Sequence, residues 1–384
     1  MKIVHTADWH LGKLVQGVYM TEDQRYALER FIEEMKEERP DVIIIAGDIY
    51  DRGIPPVEAV DLFDEVLTAL AYDLRIPVLA IAGNHDSPTR LQFGRSFMRG
   101  GRYFVSGSLD DELEPVILED EYGAVHFHLI PYVDPSIARL AYDDETINTH
   151  DDAMRAIIER LTSTLDEQAR HVAVSHAFVT KTGEEDDTMR SDSERPLSIG
   201  GAEYVSSERF KAFHYTALGH LHQAHHIGDE TIRYSGSLLK YSLSEQHHQK
   251  GYLVVELDGV GNCIIEKRSF HIRRDVRSVE GYLADLLKEE RSEDYMFVTL
   301  LDEETVLQPM EKIREVFPNA MHVERKLFYR PTEGALEYVQ AEKMTDTELF
   351  TAFFSNIADE EPTETMLALF ERLNDRVLKE ERER

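Results

Sequence analysis

Cysteine is almost absent from this chain. Cys263 is the single thiol in 384 residues, so neither an intrachain disulfide nor a thiolate zinc site can form, and that usage suits a reducing compartment. Long apolar runs are missing as well. No stretch approaches the roughly 20 residues needed to cross a bilayer. The first residues enter a charged, strand-like segment without a basic-then-apolar leader, and the expected location is cytoplasmic. Basic charge is scarce too. Lys and Arg number 42 against 74 Asp and Glu, a net charge of −32. A free-standing DNA binder normally carries a basic face, because phosphate neutralisation supplies most non-specific affinity. Three accounts are open: the substrate is not nucleic acid, metal charge and a partner subunit do the attracting, or the acidity serves solubility or a saline host.

What is present is a set of five apolar runs, each ending in a metal-ligand residue. Lys2-Ile3-Val4-His5 leads to Asp8 and His10. Val42-Ile43-Ile44-Ile45-Ala46 leads to Gly47-Asp48, and Val78-Leu79-Ala80-Ile81-Ala82 leads to Gly83-Asn84-His85-Asp86. Val172-Ala173-Val174-Ser175 leads to His176, and Tyr215-Thr216-Ala217-Leu218 leads to Gly219-His220-Leu221-His222. In an open α/β sheet, ligand residues gather at the carboxyl ends of strands, where loops from distant sequence positions meet. One such run means little; five together point to one site.

The chemistry follows from the residue types. Asp8 and His10 are two apart, as are His220 and His222, and in an extended segment such residues point the same way. The expected grouping gives one metal Asp8, His10, Asp48 and His222, and the other Asp48, Asn84, His176 and His220, with Asp48 bridging. Imidazole, carboxylate and amide without thiolate suit Mn²⁺, Fe²⁺ or Zn²⁺. Two dications against two aspartates leave roughly +2 on the site, enough to attract a phosphate in an acidic chain. The reaction type implied is hydrolysis of a phosphate ester. His85 is better placed to donate a proton or hydrogen bond than to ligate, with Asp86 expected on its other ring nitrogen. Taken singly, each of these residues is more often structural, since the chain has 17 histidines. The doublets His225-His226 and His247-His248 lack the strand-end setting and read as solvated or as supporting residues.

The organisation is read from periodicity. Helical spacing covers 22–38 and 57–71, alternating with strands, which suggests a largely parallel α/β core. Short strand-like pieces from about 203 to 270 predict a second sheet packed on the first. Residues 271–331 read as a small α+β unit: a helix at 279–290, a strand at Tyr295–Leu301, a helix near 309–316 and a strand near 320–328. The segment 332–344 reads as a linker. Within 345–384, Thr345 and Glu348 have capping-box spacing. Two apolar stripes follow, Leu349, Phe350, Phe353, Phe354 and Ile357, then Met366, Leu367, Leu369, Phe370, Leu373 and Val377. These stripes need cover, either from their own domain or from another protein.

In order and spacing, Asp8-x-His10, Gly47-Asp48, Gly83-Asn84-His85-Asp86, His176 and Gly219-His220-x-His222 resemble the calcineurin-like metallophosphoesterases. Thr6-Ala7-Asp8-Trp9-His10-Leu11-Gly12 and Ser193-Glu194-Arg195-Pro196-Leu197-Ser198-Ile199-Gly200-Gly201 narrow the resemblance to the SbcD nuclease-subunit family, over nearly the whole chain. That resemblance implies a four-layer α/β/β/α nuclease domain at 1–270, a capping domain at 271–331 and a helical arm at 345–384. It implies two divalent ions, by preference Mn²⁺, and cleavage of DNA ends and hairpins. It further implies an arm gripping the coiled-coil base of the ATPase partner SbcC, and pairing of nuclease subunits into a two-plus-two assembly acting at the nucleoid. The partner would then supply much of the DNA grip. Two departures stand out: Tyr50-Asp51-Arg52 occupies the place where many relatives carry a second histidine, and Glu184-Glu185-Asp186-Asp187 would repel DNA if it lay over the site. A phosphoprotein phosphatase or cyclic-nucleotide phosphodiesterase is the competing enzyme class, and a scaffold that only dimerises the ATPase is the non-enzymatic one.

Overall fold

The computed structural model describes residues 1–109, 114–184, 190–194, 203–326, 346–358, 361–363, 365–370 and 372–373. The linker at 332–344, Glu185 to Asp187, Arg195 to Gly201 of the signature loop, Thr345 and Val377 lie outside the described residues. The chain divides into two compact units, Met1–Lys326 and Leu327–Arg384.

Two six-stranded sheets form the centre of the first unit. The apolar runs Val42–Ile45 and Val78–Ile81 are buried on both faces, the pattern expected of strands covered on either side. In the first sheet, Lys2–Thr6, Val42–Ile45, Val78–Ile81 and Tyr103–Ser106 run parallel. Gly251–Leu257 and Cys263–Ser269 extend it antiparallel on the other side. In the second sheet, Asp229–Tyr234, Tyr215–Gly219, Arg170–His176 and Gly123–Ile130 are parallel. Its edges, His225–Ile227 and Val116–Asp120, are antiparallel.

Alternation along each strand then builds the layers. Val4, Ile43 and Ile45 face Leu28, Phe31, Leu62 and Phe63, which come from helices Thr21–Glu38 and Val57–Leu67. Ile3, Ile44 and Ile81 face the other way, onto Phe127, Val172, Val174 and Tyr215 of the second sheet. Ala173, Leu218 and Ile130 pack on Ile157, Ile158 and Leu161 of helix His150–Thr162. The result is the expected four-layer α/β/β/α sandwich. Thr149 and Asp152 start that last helix with a reciprocal capping box.

Residues 276–325 form a three-stranded parallel sheet, Val276–Gly281, Tyr295–Leu300 and Ala320–Arg325. Met296, Val298, Ile313 and Phe317 give it a core of its own. Here the expected helix at 279–290 is corrected. Residues 276–281 pair with Tyr295–Leu300, and only Leu283–Leu286 is helical. Ladder hydrogen bonds along a neighbouring strand outweigh the weak local helical pattern. Arg274 anchors the sheet to helix Thr21–Glu38 through Asp23 at 2.8 Å, and Tyr295 donates its hydroxyl to the same carboxylate.

In the second unit, Asp346–Ala358 is helical and so are residues 365–370. Phe350 stacks on Phe370 with ring centroids 4.3 Å apart, while Leu349, Phe353, Leu369 and Leu373 remain exposed. Among the described residues, no helix is long and apolar enough to cross a membrane.

Candidate metal centre

Strand ends from both sheets meet at one place. Asp8 and His10 follow Lys2–Thr6, Asp48 follows Val42–Ile45, and Asn84 follows Val78–Ile81. From the second sheet, His176 ends Arg170–His176, while His220 and His222 follow Tyr215–Gly219. The backbone must bend sharply there. Asp8, His10, Asp48 and His220 all have positive φ, at 53°, 47°, 49° and 111°. Such conformations are uncommon outside glycine and gather at functional sites.

The glycines before Asp48, Asn84 and His220 have a steric cause. A Cβ on Gly47 would sit 2.4 Å from His176 Nδ1, and one on Gly219 would sit 1.9 Å from the Ala46 carbonyl oxygen. The loops approach so closely that only glycine fits.

All seven expected ligand residues come together. His10 Nε2 lies 3.0 Å from His222 Nε2 and 3.6 Å from Asp48 Oδ2. His176 Nε2 lies 3.0 Å from Asn84 Oδ1 and 3.6 Å from the same Asp48 oxygen. His220 Nδ1 lies 3.3 Å from Asn84 Oδ1. Donor atoms of Asp8, His10 and His222 all fall within 4.8 Å of one another, as do those of Asp8, Asp48 and His176. Both aspartates and all four histidines are buried.

The electrostatics fit cations. Burial, and then the neighbouring Asp48, push the Asp8 carboxyl well above the usual carboxylate range. Burial, together with Lys13 and the neighbouring histidines, holds His10 well below its ordinary value, and burial with His176 does so for His220. These rings are therefore neutral, the form that ligates. His10 Nε2 and His220 Nδ1 are the ring nitrogens that face the other donors, at 3.0 Å from His222 Nε2 and 3.3 Å from Asn84 Oδ1. Two carboxylates, four imidazoles and an amide oxygen suit two divalent cations.

Surrounding groups fix the donors. His176 Nδ1 donates to the Ala46 carbonyl at 2.9 Å, which turns Nε2 inward. Asp8 accepts the His220 backbone N–H at 3.0 Å, and Asp48 accepts that of His85 at 2.9 Å. Sequence reasoning missed the most elaborate support, which lies around His222. Glu194 accepts the His222 backbone N–H at 2.7 Å, Glu245 lies 3.2 Å from its Nδ1, and Lys250 donates to its carbonyl at 2.8 Å. Ser193 also donates to Glu245. Burial opposes ionisation of Glu245, yet Lys250 and His222 hold its carboxyl well below the usual range. Ser193 and Glu194 stood in the signature loop, so a signal existed; Glu245 and Lys250 sit in no recognisable pattern.

His85 is buried beside the cluster, its Nε2 4.0 Å from Asp48 Oδ2. Its orientation corrects an expectation. His85 Nδ1 donates to the Asp51 carbonyl at 2.8 Å, not to Asp86. Asp86 instead accepts backbone N–H groups from Ile49, Tyr50 and Gly83, so its carboxylate ties two ligand loops together. Arg52 is exposed. His225 stacks on Tyr234, and His248 lies near Lys250.

The class of protein can now be stated. The chain belongs to the calcineurin-like phosphoesterases, whose family model matches residues 1–224. The SbcD C-terminal family, described as the type 5 capsule protein repressor C-terminal domain, matches residues 272–357, and the two matches together support an SbcD-type assignment. Among solved structures, TT1561 of Thermus thermophilus is similar at 12% identity and a TM-score of 0.38, covering 69% of this chain and 98% of that one. A dimetal phosphatase from Danio rerio is similar at 11% identity and a TM-score of 0.44, covering 70% and 96%.

Proposed function

We propose that this chain is the metal-dependent DNA nuclease subunit of a complex with the ATPase SbcC, hydrolysing phosphodiester bonds at DNA ends and hairpins. The observation that carries the reading is the convergence of Asp8, His10, Asp48, Asn84, His176, His220 and His222 in a phosphoesterase that also matches an SbcD C-terminal family. In this reading Asp8, His10, Asp48 and His222 hold one divalent ion and Asp48, Asn84, His176 and His220 the other, Mn²⁺ by preference. Two such ions supply an activated water and neutralise charge on the attacked phosphoryl group. His85 then serves the leaving oxygen: Nδ1 donates to the Asp51 carbonyl, which leaves Nε2 to present a proton or hydrogen bond. Asp86 positions the loops carrying Asp48 and Asn84.

The proposed division is a nuclease domain at 1–270, a capping domain at 271–331, a linker at 332–344 and an arm at 345–384. Exposed Leu349, Phe353, Leu369 and Leu373 are the apolar surface such an arm would offer the coiled coil of SbcC. Pairing of two nuclease subunits is favoured by exposed Phe93 and Val60, which line one groove, and by Phe97 and Val57, which are exposed as well. A two-plus-two assembly working at the nucleoid in the cytoplasm follows, with roles in DNA repair, recombination and replication. Such a partner accounts for a −32 chain working on DNA.

The test is nucleotide release from an end-labelled linear duplex with Mn²⁺, with and without SbcC and ATP. Release that is lost in Asp48→Asn supports the reading. No release in either condition, with a small phosphodiester still hydrolysed, would replace it with a phosphodiesterase of small substrates.

A further inference from the structure

Arg39, Arg75 and Arg102 stand around one cavity of about 600 Å³. Each lies just ahead of a strand: Val42–Ile45, Val78–Ile81 and Tyr103–Ser106. Those strands are parallel, so the cavity lies at their amino ends, roughly 13 Å of strand away from the carboxyl ends that lead to Asp48 and Asn84.

Three independent features mark it. First, each arginine has left-handed backbone, with φ of 47°, 59° and 66°. Glycine or asparagine is the usual occupant of such a position after a helix, and a larger residue is strained there. Second, in a chain with 74 acidic residues none of the three makes an ion pair or side-chain hydrogen bond among the described residues. Free guanidinium groups held together in an acidic protein are cations without a counter-charge. Third, the rim is positive overall. The three arginines stand against Asp41, which accepts the Lys2 backbone N–H at 2.7 Å, and Glu119, while Lys36 is paired with Glu33 at 2.6 Å. The accessible apolar part of the floor comes from half-buried Leu74, Pro77 and Leu118, with Met35 fully buried beneath them.

Guanidinium groups recognise phosphate through paired N–H donors, and the cavity has the size of small-molecule sites. An arginine rim over an apolar floor matches a ligand with a charged end and a flat, weakly polar end. We propose that this cavity binds a nucleoside polyphosphate, its phosphates on Arg39, Arg75 and Arg102 and its base over Leu74, Pro77 and Leu118. The site is separate from the metal centre, and its existence does not depend on the nuclease reading.

The test is calorimetric titration of ATP, and of inorganic tripolyphosphate, into the full chain stripped of metal with EDTA and dialysed, so that the metal centre does not compete for phosphate. The expected result is saturable one-site ATP binding with a Kd below about 1 mM. It should weaken at least about tenfold in the Arg39→Gln/Arg75→Gln double variant and stay unchanged in Asp48→Asn. Tripolyphosphate should bind several times more weakly than ATP. Absence of saturable ATP binding, or binding indifferent to the arginine pair, overturns the site. Tripolyphosphate binding as tightly as ATP overturns the nucleoside part, because the floor would then contribute nothing.

Discussion

Asp8, His10, Asp48 and His220 hold their side chains on left-handed backbone, a strain of about 1–3 kcal/mol each that surrounding contacts must offset. Glu245 is one source of that constraint at the facing residue, since it fixes the ring of His222 while Lys250 keeps it ionised. Replacing Glu245 with Gln is expected to weaken Mn²⁺ binding by about 10–100-fold, as loss of an orienting carboxylate generally does. A Mn²⁺ titration of the purified variant reads this directly, and unchanged affinity would remove Glu245 from the support of the site. A second residue-scale prediction concerns acid stability. Arg170 hydrogen-bonds Asp120 at 2.6 Å and holds its carboxyl below the ordinary range. A lowered folded-state value means stability that is present above the ordinary carboxylate range and lost as pH falls below it. Asp120→Asn should therefore cost about 2–3 kcal/mol in urea unfolding at neutral pH. The gap to the unaltered chain should narrow steadily as pH falls below about 4.

Strand ends were legible because two sequence signals coincide there: a short apolar run, then a ligand residue, preceded by glycine at Asp48, Asn84 and His220. The register of Tyr215–Gly219 on Arg170–His176 sets Gly219 beside His176, and that pairing carries both ligand loops to the same edge. Legibility failed where the signal was purely spatial. The segment 276–281 became a strand through its partner Tyr295–Leu300, and Asp86 proved to bind three backbone N–H groups where a ring nitrogen was expected. Glu245 and Lys250 escaped notice because a buried ion pair leaves no periodic trace. At this scale the two-sheet junction is the vulnerable feature. Gly219→Ala would force a Cβ to 1.9 Å from the Ala46 carbonyl. It should destabilise the chain by about 2–3 kcal/mol and lower metal occupancy in parallel. A melting curve with and without Mn²⁺ measures both; a variant as stable as the original would mean that the loops have room to part.

The whole molecule joins a metal centre built by the sandwich to a second unit with exposed apolar side chains. These parts should separate cleanly. Deleting 345–384 is expected to leave hydrolysis of a small phosphodiester by the isolated chain within about twofold, because all seven ligand residues lie at or before His222. Binding to SbcC should be abolished, as measured by co-elution on gel filtration. Retained binding would place the contact elsewhere on the chain. The proposed function requires that both sheets together hold two divalent ions at one site that depends on Asp48. Its most direct measurement is the number of Mn²⁺ ions bound per chain, by titration of metal-stripped protein and elemental analysis of the dialysed complex. Two ions per chain, with occupancy collapsing in Asp48→Asn, is the predicted result. One ion or none in the unaltered chain, or two ions that persist in Asp48→Asn, would contradict it.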